Sequence, residues 1–319
     1  MDAESNQDAD SAQPLIVLTG AAGRLGIAAH RALLDAGKKV LAIDRNRHAT
    51  IAGPFVAADL SKPDHLHRIL RGAGILIHLA YHRFPFEFPH GYPGRTFDEH
   101  ILLNRRVFQA ACEAGVKKII FSSSIQVVAR QNPDLGANVP PRYLPLDEHS
   151  PAEPDNWYSL AKRCSEEMLA TLHRMYGVDC VILRFPSLIH RGPAPGEILF
   201  KERRSEGSSY LTYRDAAEAL LKAVDADLPG CRTYLPASRN NGHGRPASEL
   251  ITEFYRDVPL KRPPGTIDSL VDSSAMTRET GWEPRDLEYP EPRDPATGFR
   301  HFPGWIRPWL SRIFPSGRN

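Results

Sequence analysis

The chain has 319 residues, enough to bury a full hydrophobic core, so its length predicts one large α/β domain or one domain with a smaller appended lobe. Forty Lys and Arg against thirty-eight Asp and Glu give a formal charge of +2, without the basic stripe expected of a protein with a nucleic-acid partner. The four cysteines are scattered without Cys-x-x-Cys spacing, which predicts a cytoplasmic protein with reduced thiols. No apolar stretch reaches the roughly 18 residues that a membrane span needs, which predicts a soluble protein and excludes a membrane span.

Short apolar runs alternate with helical patterns along the first half of the chain. Residues 1–13 are polar and acidic without apolar periodicity, which predicts a disordered tail. The alternation then predicts, in order, a strand at 15–19, a helix at 24–36, a strand at 39–43, a helix at 62–71, a strand at 75–79, a helix at 97–114, a strand at 118–122, a helix at 157–176 and a strand at 179–185. This order predicts an α/β fold over residues 14–185, a doubly wound parallel sheet of six or seven strands.

The character of the sequence changes after residue 185. Pro and Gly become frequent and the apolar runs become shorter, although helices are still predicted at 213–226 and 247–255 and a strand at 232–235. We therefore predict a small C-terminal substrate-binding lobe over residues 186–319, with its later elements returning to the large sheet.

A glycine-rich turn joins the first predicted strand to the first predicted helix. Gly20, Gly23 and Gly26 are spaced by three, and glycines at such a junction permit a tight turn and a close approach of backbone to a pyrophosphate. The helix that follows offers its positive N-terminal end to the same anion. Asp44 ends the second predicted strand, where a carboxylate can accept hydrogen bonds from the adenosine ribose hydroxyls. These features predict a Rossmann dinucleotide site for NAD.

The residues that follow Asp44 leave one alternative cofactor open and complete the predicted adenosine half of the site. Arg45 and Arg47 could hold the 2′-phosphate of NADP, but Asp44 ahead of them would repel it, so NADP is the minority alternative. Asp59 follows a further strand predicted between the strand at 39–43 and the helix at 62–71, where it either approaches the adenine amino group or caps the next helix. The predicted cofactor contacts here are Gly20, Ala22, Gly23, Arg24, Leu25, Gly26, Asp44, Arg45, Asp59 and Leu60.

An acid/base pair is predicted at the start of the helix at 157–176. Tyr158 and Lys162 lie four residues apart, which places the phenol and the ammonium on one helix face, one turn apart. The pKa of a phenol in water is about 10, so a neighbouring cation is needed to make it a general base at working pH. Ser122, Ser123 and Ser124 stand at the end of the strand predicted at 118–122, at the carboxyl edge of the sheet, where ligands of open α/β folds bind, and Ser124 can hold the reacting oxygen.

Several motifs in a fixed order resemble the extended short-chain dehydrogenase/reductase family, the NAD-dependent epimerase/dehydratase group, over about residues 14–282. They are the turn at 19–26, Asp44, the His-Leu-Ala at 78–80, the serines at 122–124 and the Tyr-x-x-x-Lys at 158–162. The resemblance implies that Tyr158 is the acid/base, that Lys162 binds the nicotinamide ribose and tunes Tyr158, and that Ser124 orients the substrate. The remaining predicted cofactor contacts are Leu79, Ala80, Tyr81, Ser122, Ser123, Tyr158, Lys162 and Phe185. The resemblance also implies a homodimer, with the helices at 97–114 and 157–176 pairing across the interface.

Departures from the family pattern narrow the reaction. Members oxidise, reduce, epimerise or dehydrate sugars and nucleotide sugars, and dehydratases carry an Asp-Glu pair where this chain has Ile125 and Gln126, which disfavours dehydration. Only thirty residues separate Arg184 from Asp215, which leaves little room for a nucleotide and makes the lobe similar to that of uronate dehydrogenases. The predicted substrate contacts are Ser124, Gln126, Ser187 and His82, the last in an aromatic loop at 81–93 that could instead pack on the core or on a dimer partner.

A second departure lies in the helix at 97–114. The usual Asn of the family aligns with His100, and the usual Gly-Thr with Leu103 and Asn104. Asn104 lies one turn from His100 on the same face, so it either replaces the missing cofactor contact or faces a partner helix.

Three functions follow from these residues. The leading hypothesis is a dehydrogenase in which Tyr158 takes the hydroxyl proton of a sugar or sugar acid while hydride passes to NAD. An epimerase that retains NAD and uses the same residues is the alternative. A non-catalytic NAD-binding scaffold is a third possibility, which the intact Ser124, Tyr158 and Lys162 disfavour. No acid or cysteine accompanies the histidines in a ligand arrangement, so no metal site is predicted.

Overall fold

A computed structural model describes residues 13–62, 66–81, 94–130, 139–194, 196–199 and 203–286. Its strands are β1 (Leu15–Thr19), β2 (Val40–Asp44), β3 (Phe55–Ala57), β4 (Ala73–His78), β5 (Lys118–Ser124), β6 (Asp179–Phe185), β7 (Ser187–Ile189), β8 (Tyr210–Thr212) and β9 (Cys231–Tyr234). Its α-helices are α1 (Arg24–Asp35), α2 (Leu66–Leu70), α3 (Gly94–Glu113), α4 (Trp157–Tyr176), α5 (Tyr213–Asp225), α6 (Ala247–Phe254) and α7 (Ser274–Thr280). The predicted tail lies almost entirely outside these residues.

Seven strands form one sheet in the order β3-β2-β1-β4-β5-β6-β9, and every neighbouring pair is parallel. The order 3-2-1-4-5-6 is that of dinucleotide-binding doubly wound sheets. The fold class predicted from the alternating pattern is therefore confirmed. The seventh strand, β9, comes from the region after residue 185 and pairs with β6.

The sheet is buried on both faces because helices cover each side. Alternate residues of β1 show this directly: Ile16 and Leu18 belong to a core with α1 and α5, whereas Val17 belongs to a core with α2, α3 and α4. Such two-sided burial explains why the strands read as continuous apolar runs rather than as alternating patterns. None of the helices in the described part of the chain is long and apolar enough to cross a membrane.

A third apolar cluster lies beyond the carboxyl edge of the sheet. It joins residues from before position 185, such as Ile125 and Leu144, to residues of α6 and of the segment around Leu270. The small parallel pair β7–β8 also comes from the region after residue 185. The predicted lobe at 186–319 thus shares its core with earlier residues, and its boundary stays a proposal.

Local sequence explains where α4 begins and ends. Asn156 accepts a hydrogen bond from the backbone N–H of Ser159 at 2.9 Å, and the Ser159 hydroxyl accepts one from the Asn156 backbone N–H, which forms a capping box. Gly177 ends the helix in the left-handed conformation, with φ 67°. The cap places Tyr158 in the first turn of α4, where its position is set by backbone hydrogen bonds.

Candidate active site

The glycine turn after β1 has the close packing that a pyrophosphate cradle needs. Gly20 has φ 72°, and a Cβ there would lie 2.7 Å from the backbone nitrogen of Ala80. A Cβ on Gly26 would lie 2.7 Å from the Ala21 carbonyl oxygen and closer still to the Gly20 carbonyl oxygen. Gly23 is the N-cap of α1 and makes no side-chain cap. No side chain caps the N-terminus of α1, and the packing around Gly20 and Gly26 leaves no room for a Cβ. These residues therefore fit a dinucleotide pyrophosphate.

Asp44 lies beside this turn, as expected for a ribose-binding carboxylate. Its Oδ2 accepts a hydrogen bond from the Ala22 backbone N–H at 3.0 Å, and its Oδ1 accepts one from the Arg45 N–H at 2.7 Å. Arg47 instead donates to the carbonyl oxygens of Ile51 and Gly53 within its own loop. The Asp44 carboxylate therefore adjoins the glycine turn, while the Arg47 guanidinium is bonded within its own loop.

Two predicted cofactor contacts after β3, Asp59 and Leu60, contact neighbouring residues of the protein. Asp59 accepts hydrogen bonds from the hydroxyl of Ser61 at 2.7 Å and from its backbone N–H at 3.1 Å. The hydroxyl bond lowers the pKa of Asp59, so the side chain is a carboxylate at neutral pH. Leu60 is buried in the core with α2, α3 and α4. Asp59 thus forms a turn with Ser61, and its contact with adenine stays a prediction.

The end of β4 closes the other side of the cradle. Leu79 donates its N–H to the Thr19 carbonyl at 3.2 Å, which holds Leu79 and Ala80 against Gly20. Tyr81 follows with 46% of its surface exposed. His82 and the rest of the aromatic loop lie outside the described residues, so the predicted substrate contact of His82 remains a prediction.

Lys162 lies beneath the phenol of Tyr158. Its ammonium is 5.7 Å from the centre of the Tyr158 ring and 4.7 Å from that of Phe121, and it donates to the Ser122 carbonyl at 2.6 Å. Burial lowers the pKa of Lys162 to about 8, while the nearby Glu166 carboxylate opposes this shift. A cation so close to the phenol favours the phenolate, which is the electrostatic condition for a tyrosine base.

The three serines at the end of β5 have different environments. Ser122 offers its carbonyl to Lys162, and the Ser123 hydroxyl donates to Glu166 at 2.6 Å. Ser124 lies opposite Phe185 in the β5–β6 register, and its Oγ accepts the backbone N–H of Gln126 at 3.2 Å. Since Ser124 uses Oγ only as an acceptor there, its hydroxyl hydrogen can be directed at a ligand oxygen.

A buried ion pair fixes α4 on the sheet, and the sequence analysis did not identify it. Arg184 of β6 donates to both carboxylate oxygens of Glu166, at 3.0 and 2.8 Å, and both side chains are at most 5% exposed. Glu166 lies one turn after Lys162, so this pair, together with the Ser123 bond, sets the height of Lys162 against β5. In the sequence, Arg184 marked only the start of the thirty-residue interval to Asp215, and nothing there indicated Glu166 as its partner.

Another buried chain of hydrogen bonds links β1, β4, α3 and α4. His78 Nδ1 lies 2.8 Å from the Thr19 hydroxyl and Nε2 lies 3.0 Å from Asn104 Oδ1, while Asn104 Nδ2 donates to the Ser165 hydroxyl at 2.8 Å. Asn104 Oδ1 can only accept, so His78 carries its proton on Nε2 and accepts from Thr19 on Nδ1. Asn104 is 5% exposed, and it therefore faces the neighbouring helix α4 of its own chain.

Burial within this hydrogen-bonded network makes the contribution of His78 to stability sensitive to acid pH. Desolvation lowers its pKa to about 4, with the Asn104 bond opposing and the charge of Lys162 contributing. A histidine whose native pKa lies below its unfolded value stabilises the protein fully above about pH 6.5 and loses that contribution as the pH falls toward 4. We expect the unfolding free energy of the native sequence to fall by about 3 kcal/mol more than that of His78→Gln between these pH values.

Chemical denaturation of both proteins across this pH range measures the difference. His149→Gln is the matched control, because the His149 side chain is 79% exposed and its replacement should leave the pH dependence unchanged. Equal pH slopes for the native sequence and His78→Gln would show that His78 binds a proton equally well in the folded and unfolded chains.

The predicted substrate side is held together by contacts across β7 and α5. The Ser187 hydroxyl accepts a hydrogen bond from Arg203 at 2.7 Å, and the Tyr213 hydroxyl accepts one from Arg24 at 3.5 Å. The ring of Tyr213 lies 5.0 Å from that of His190. Arg203 was not identified from the sequence, because nothing in the local pattern indicates that it contacts Ser187 at the start of β7. In the described ranges, no group of three or more potential ligands is placed to hold a metal ion.

The strand order and the glycine turn together define a dinucleotide-binding Rossmann protein. Within that class, the chain belongs to the NAD dependent epimerase/dehydratase family, whose family model matches residues 16–204. The protein is accordingly an NAD-dependent enzyme, which confirms both the family resemblance and the cofactor predicted from Asp44.

Relatives within the family differ in what they are named for. A uronate dehydrogenase of Pseudomonas syringae is 28% identical over 217 residues, which are 66% of this chain and 69% of that protein. Sterol demethylase protein B of Methylococcus capsulatus is 30% identical over 277 residues, 78% of this chain and 81% of that protein. A short-chain dehydrogenase/reductase superfamily structure from Agrobacterium tumefaciens with bound NAD has a TM-score of 0.62 at 21% identity, over 85% of this chain and 92% of that one, and it shares the fold.

Proposed function

We propose that this protein is an NAD-dependent dehydrogenase that oxidises a hydroxyl of a sugar or sugar acid, with Tyr158 as the acid/base. The observation that carries the proposal is the buried ammonium of Lys162, 5.7 Å from the Tyr158 ring centre at the carboxyl edge of the sheet. A protein that only bound NAD would have no need to bury a lysine beneath a phenol. The arrangement therefore argues against a non-catalytic scaffold.

Each residue then has a distinct part in the reaction. Tyr158 takes the proton of the reacting hydroxyl, and Lys162 stabilises the resulting phenolate. Ser124 donates its hydroxyl hydrogen to the reacting oxygen and fixes its position. The N-terminus of α1 and the turn of Gly20, Gly23 and Gly26 would hold the pyrophosphate of NAD, and Asp44 would bind the adenosine ribose. Bound NAD supplies the hydride acceptor.

The short substrate lobe favours a free sugar acid over a nucleotide sugar. Between the strand-end Arg184 and Asp215 of α5 the described residues form only the small β7–β8 pair, a 3-10 turn and loops. This agrees with the similarity to a uronate dehydrogenase. An epimerase remains the second candidate, because the matched family includes epimerases and the same Tyr158 and Lys162 would serve that reaction.

The test is the absorbance at 340 nm of purified protein with added NAD and a panel of substrates. The panel contains galacturonate, glucuronate, their neutral parent sugars, two UDP-sugars and one sterol alcohol, the last because of the relative named for sterol demethylation. We expect NADH to appear with the uronates and at most slowly with the parent sugars. The matched pairs differ only in the carboxylate, so their rate ratio measures selection of the acid.

Other outcomes assign the protein differently. NADH formation with the sterol alcohol alone would refute the sugar assignment but leave a dehydrogenase. No NADH from any compound, with NAD released on denaturation and a UDP-sugar converted to its epimer, would establish the epimerase. Absence of all turnover by a folded protein that binds NAD would leave the scaffold.

We further propose that the protein is a homodimer paired through α3 and α4 and that it acts in the cytoplasm. In support of the first point, Leu102 on α3 and Trp157 on α4 are 41% and 46% exposed, and such apolar side chains are suited to an interface. In support of the second, all four cysteines are free. Light scattering that gave the mass of one chain, 35.6 kDa, would remove the dimer, and recovery of the protein with an extracytoplasmic fraction of its native cells would remove the location.

A further inference from the structure

One face of α3 carries buried polar residues where a helix against a sheet normally carries apolar ones. Thr96, His100 and Asn104 are spaced by four, and all are at most 5% exposed. Asn104 is explained by its bonds to His78 and Ser165. His100, one turn nearer the carboxyl edge of the sheet, is as deeply buried, and its ring contacts residues of the candidate site.

His100 lies between the rings of two residues of the candidate site. Its imidazole centre is 6.2 Å from that of Tyr158 and 5.9 Å from that of Tyr81, with interplanar angles of 70° and 71°. Both are edge-to-face contacts, the arrangement that aromatic pairs favour. Tyr81 follows β4, whose end packs on the glycine turn, whereas Tyr158 comes from α4. His100 therefore connects the cofactor edge of the sheet to the acid/base residue.

We propose that His100 is a positioning residue, whose ring holds the Tyr158 phenol at a fixed place relative to the cofactor edge. The proposal rests on the assignment of Tyr158 as the acid/base in the proposed function. Lys162 contacts the same phenol from within α4 and acts on its charge, whereas His100 contacts it from α3 and limits its rotation.

The anchoring of α3 makes this contact rigid. Asn104 bonds α3 to β4 and α4 one turn beyond His100, and Phe97 packs on Trp157 at 5.7 Å, one turn before it. The imidazole is thus fixed between two contacts of the same helix pair. Fixing the phenol matters because a base displaced by a fraction of an ångström from the reacting hydroxyl loses much of its rate advantage.

Two substitutions of His100 test the ring and the polarity of its side chain separately. His100→Gln keeps a polar side chain of similar size but removes the ring, whereas His100→Phe keeps a ring and removes the polarity. His173→Gln is the matched control, since it makes the same replacement near the far end of α4, where the ring contacts the Val178 carbonyl oxygen and not Tyr158. Thermal denaturation establishes that each variant is folded.

The first readout does not require a substrate. Protein labelled with ¹³Cζ-tyrosine gives a Tyr158 resonance, assigned by its loss in Tyr158→Phe, and we expect His100→Gln to shift and broaden it while His173→Gln leaves it in place. With a substrate found in the NADH assay, we expect His100→Gln to lower kcat by about tenfold with an unchanged KM for NAD. His100→Phe should restore both the resonance and kcat.

An unchanged Tyr158 resonance and kcat in folded His100→Gln would overturn the proposal, as would a folded His100→Phe as impaired as His100→Gln. If His100→Phe does not fold, the comparison of His100→Gln with His173→Gln decides by the same criteria. If no compound is oxidised by the native sequence, the proposed function fails, and the positioning of Tyr158 is still decided by the resonance alone.

Discussion

Replacing Tyr158 by Phe is expected to reduce kcat about a thousandfold while leaving the affinity for NAD within about threefold of its native value. The substitution removes only the hydroxyl, so the ring contacts with Lys162 and His100 persist and the fold of α4 is kept. The reacting hydroxyl then has no base to take its proton, because Lys162 lies beneath the ring and donates to the Ser122 carbonyl. Initial rates of NADH formation and a calorimetric NAD titration measure the two quantities.

Tyr176→Phe is the matched control for this loss. Tyr176 ends the same helix, is 46% exposed, and should tolerate the loss of its hydroxyl without any change in kcat. Retention of more than about a tenth of native kcat by Tyr158→Phe would mean that another group takes the proton.

Gly26→Ala should weaken NAD binding about a hundredfold, or about 2.8 kcal/mol. The added Cβ would meet the carbonyl oxygens of Gly20 and Ala21, which are backbone atoms of the turn and cannot rotate away. The N-terminus of α1 must then move off the turn, and the pyrophosphate cradle opens. The same clash should lower the unfolding free energy by about 1–3 kcal/mol.

Calorimetry with NAD and chemical denaturation test this expectation together. Gly265→Ala is the control, because a Cβ there meets nothing within 4 Å and Gly265 does not have the left-handed backbone conformation. Native NAD affinity in Gly26→Ala would show that the turn can yield without loss of the cradle, and the close packing of α1 would then have no part in cofactor binding.

The two expectations separate the cofactor half of the site from its chemical half. Gly26→Ala should weaken NAD binding and slow turnover at NAD concentrations below its raised Kd, whereas Tyr158→Phe should keep NAD binding and lose most of its turnover at any NAD concentration. Lys162 connects the halves, because its ammonium lies against the phenol and its position depends on the Glu166–Arg184 pair and on β5. A variant with weakened binding and slowed chemistry together would therefore point to α4 as the displaced element.

Much of the fold and of the candidate site followed from the sequence because the signals are local. The alternation of apolar runs with helical patterns specified a parallel sheet, and the glycine spacing at one strand end specified the dinucleotide turn. Tyr158 and Lys162 share a helix face because their spacing is one helical turn. In each of these cases the residues that act together lie within a few positions of one another.

The tertiary structure decided what depends on which elements become neighbours. The chain from Thr19 through His78 and Asn104 to Ser165, and the contact of His100 with Tyr81 and Tyr158, join residues from separate strands and helices. The pairs Glu166–Arg184 and Ser187–Arg203 likewise form across elements. A polar side chain alone does not indicate its partner, because the partner is set by sheet order and helix packing. Sequence by itself therefore determined the fold and the cofactor and placed Tyr158 and Lys162 on one helix face, whereas tertiary contacts determined how those residues are held.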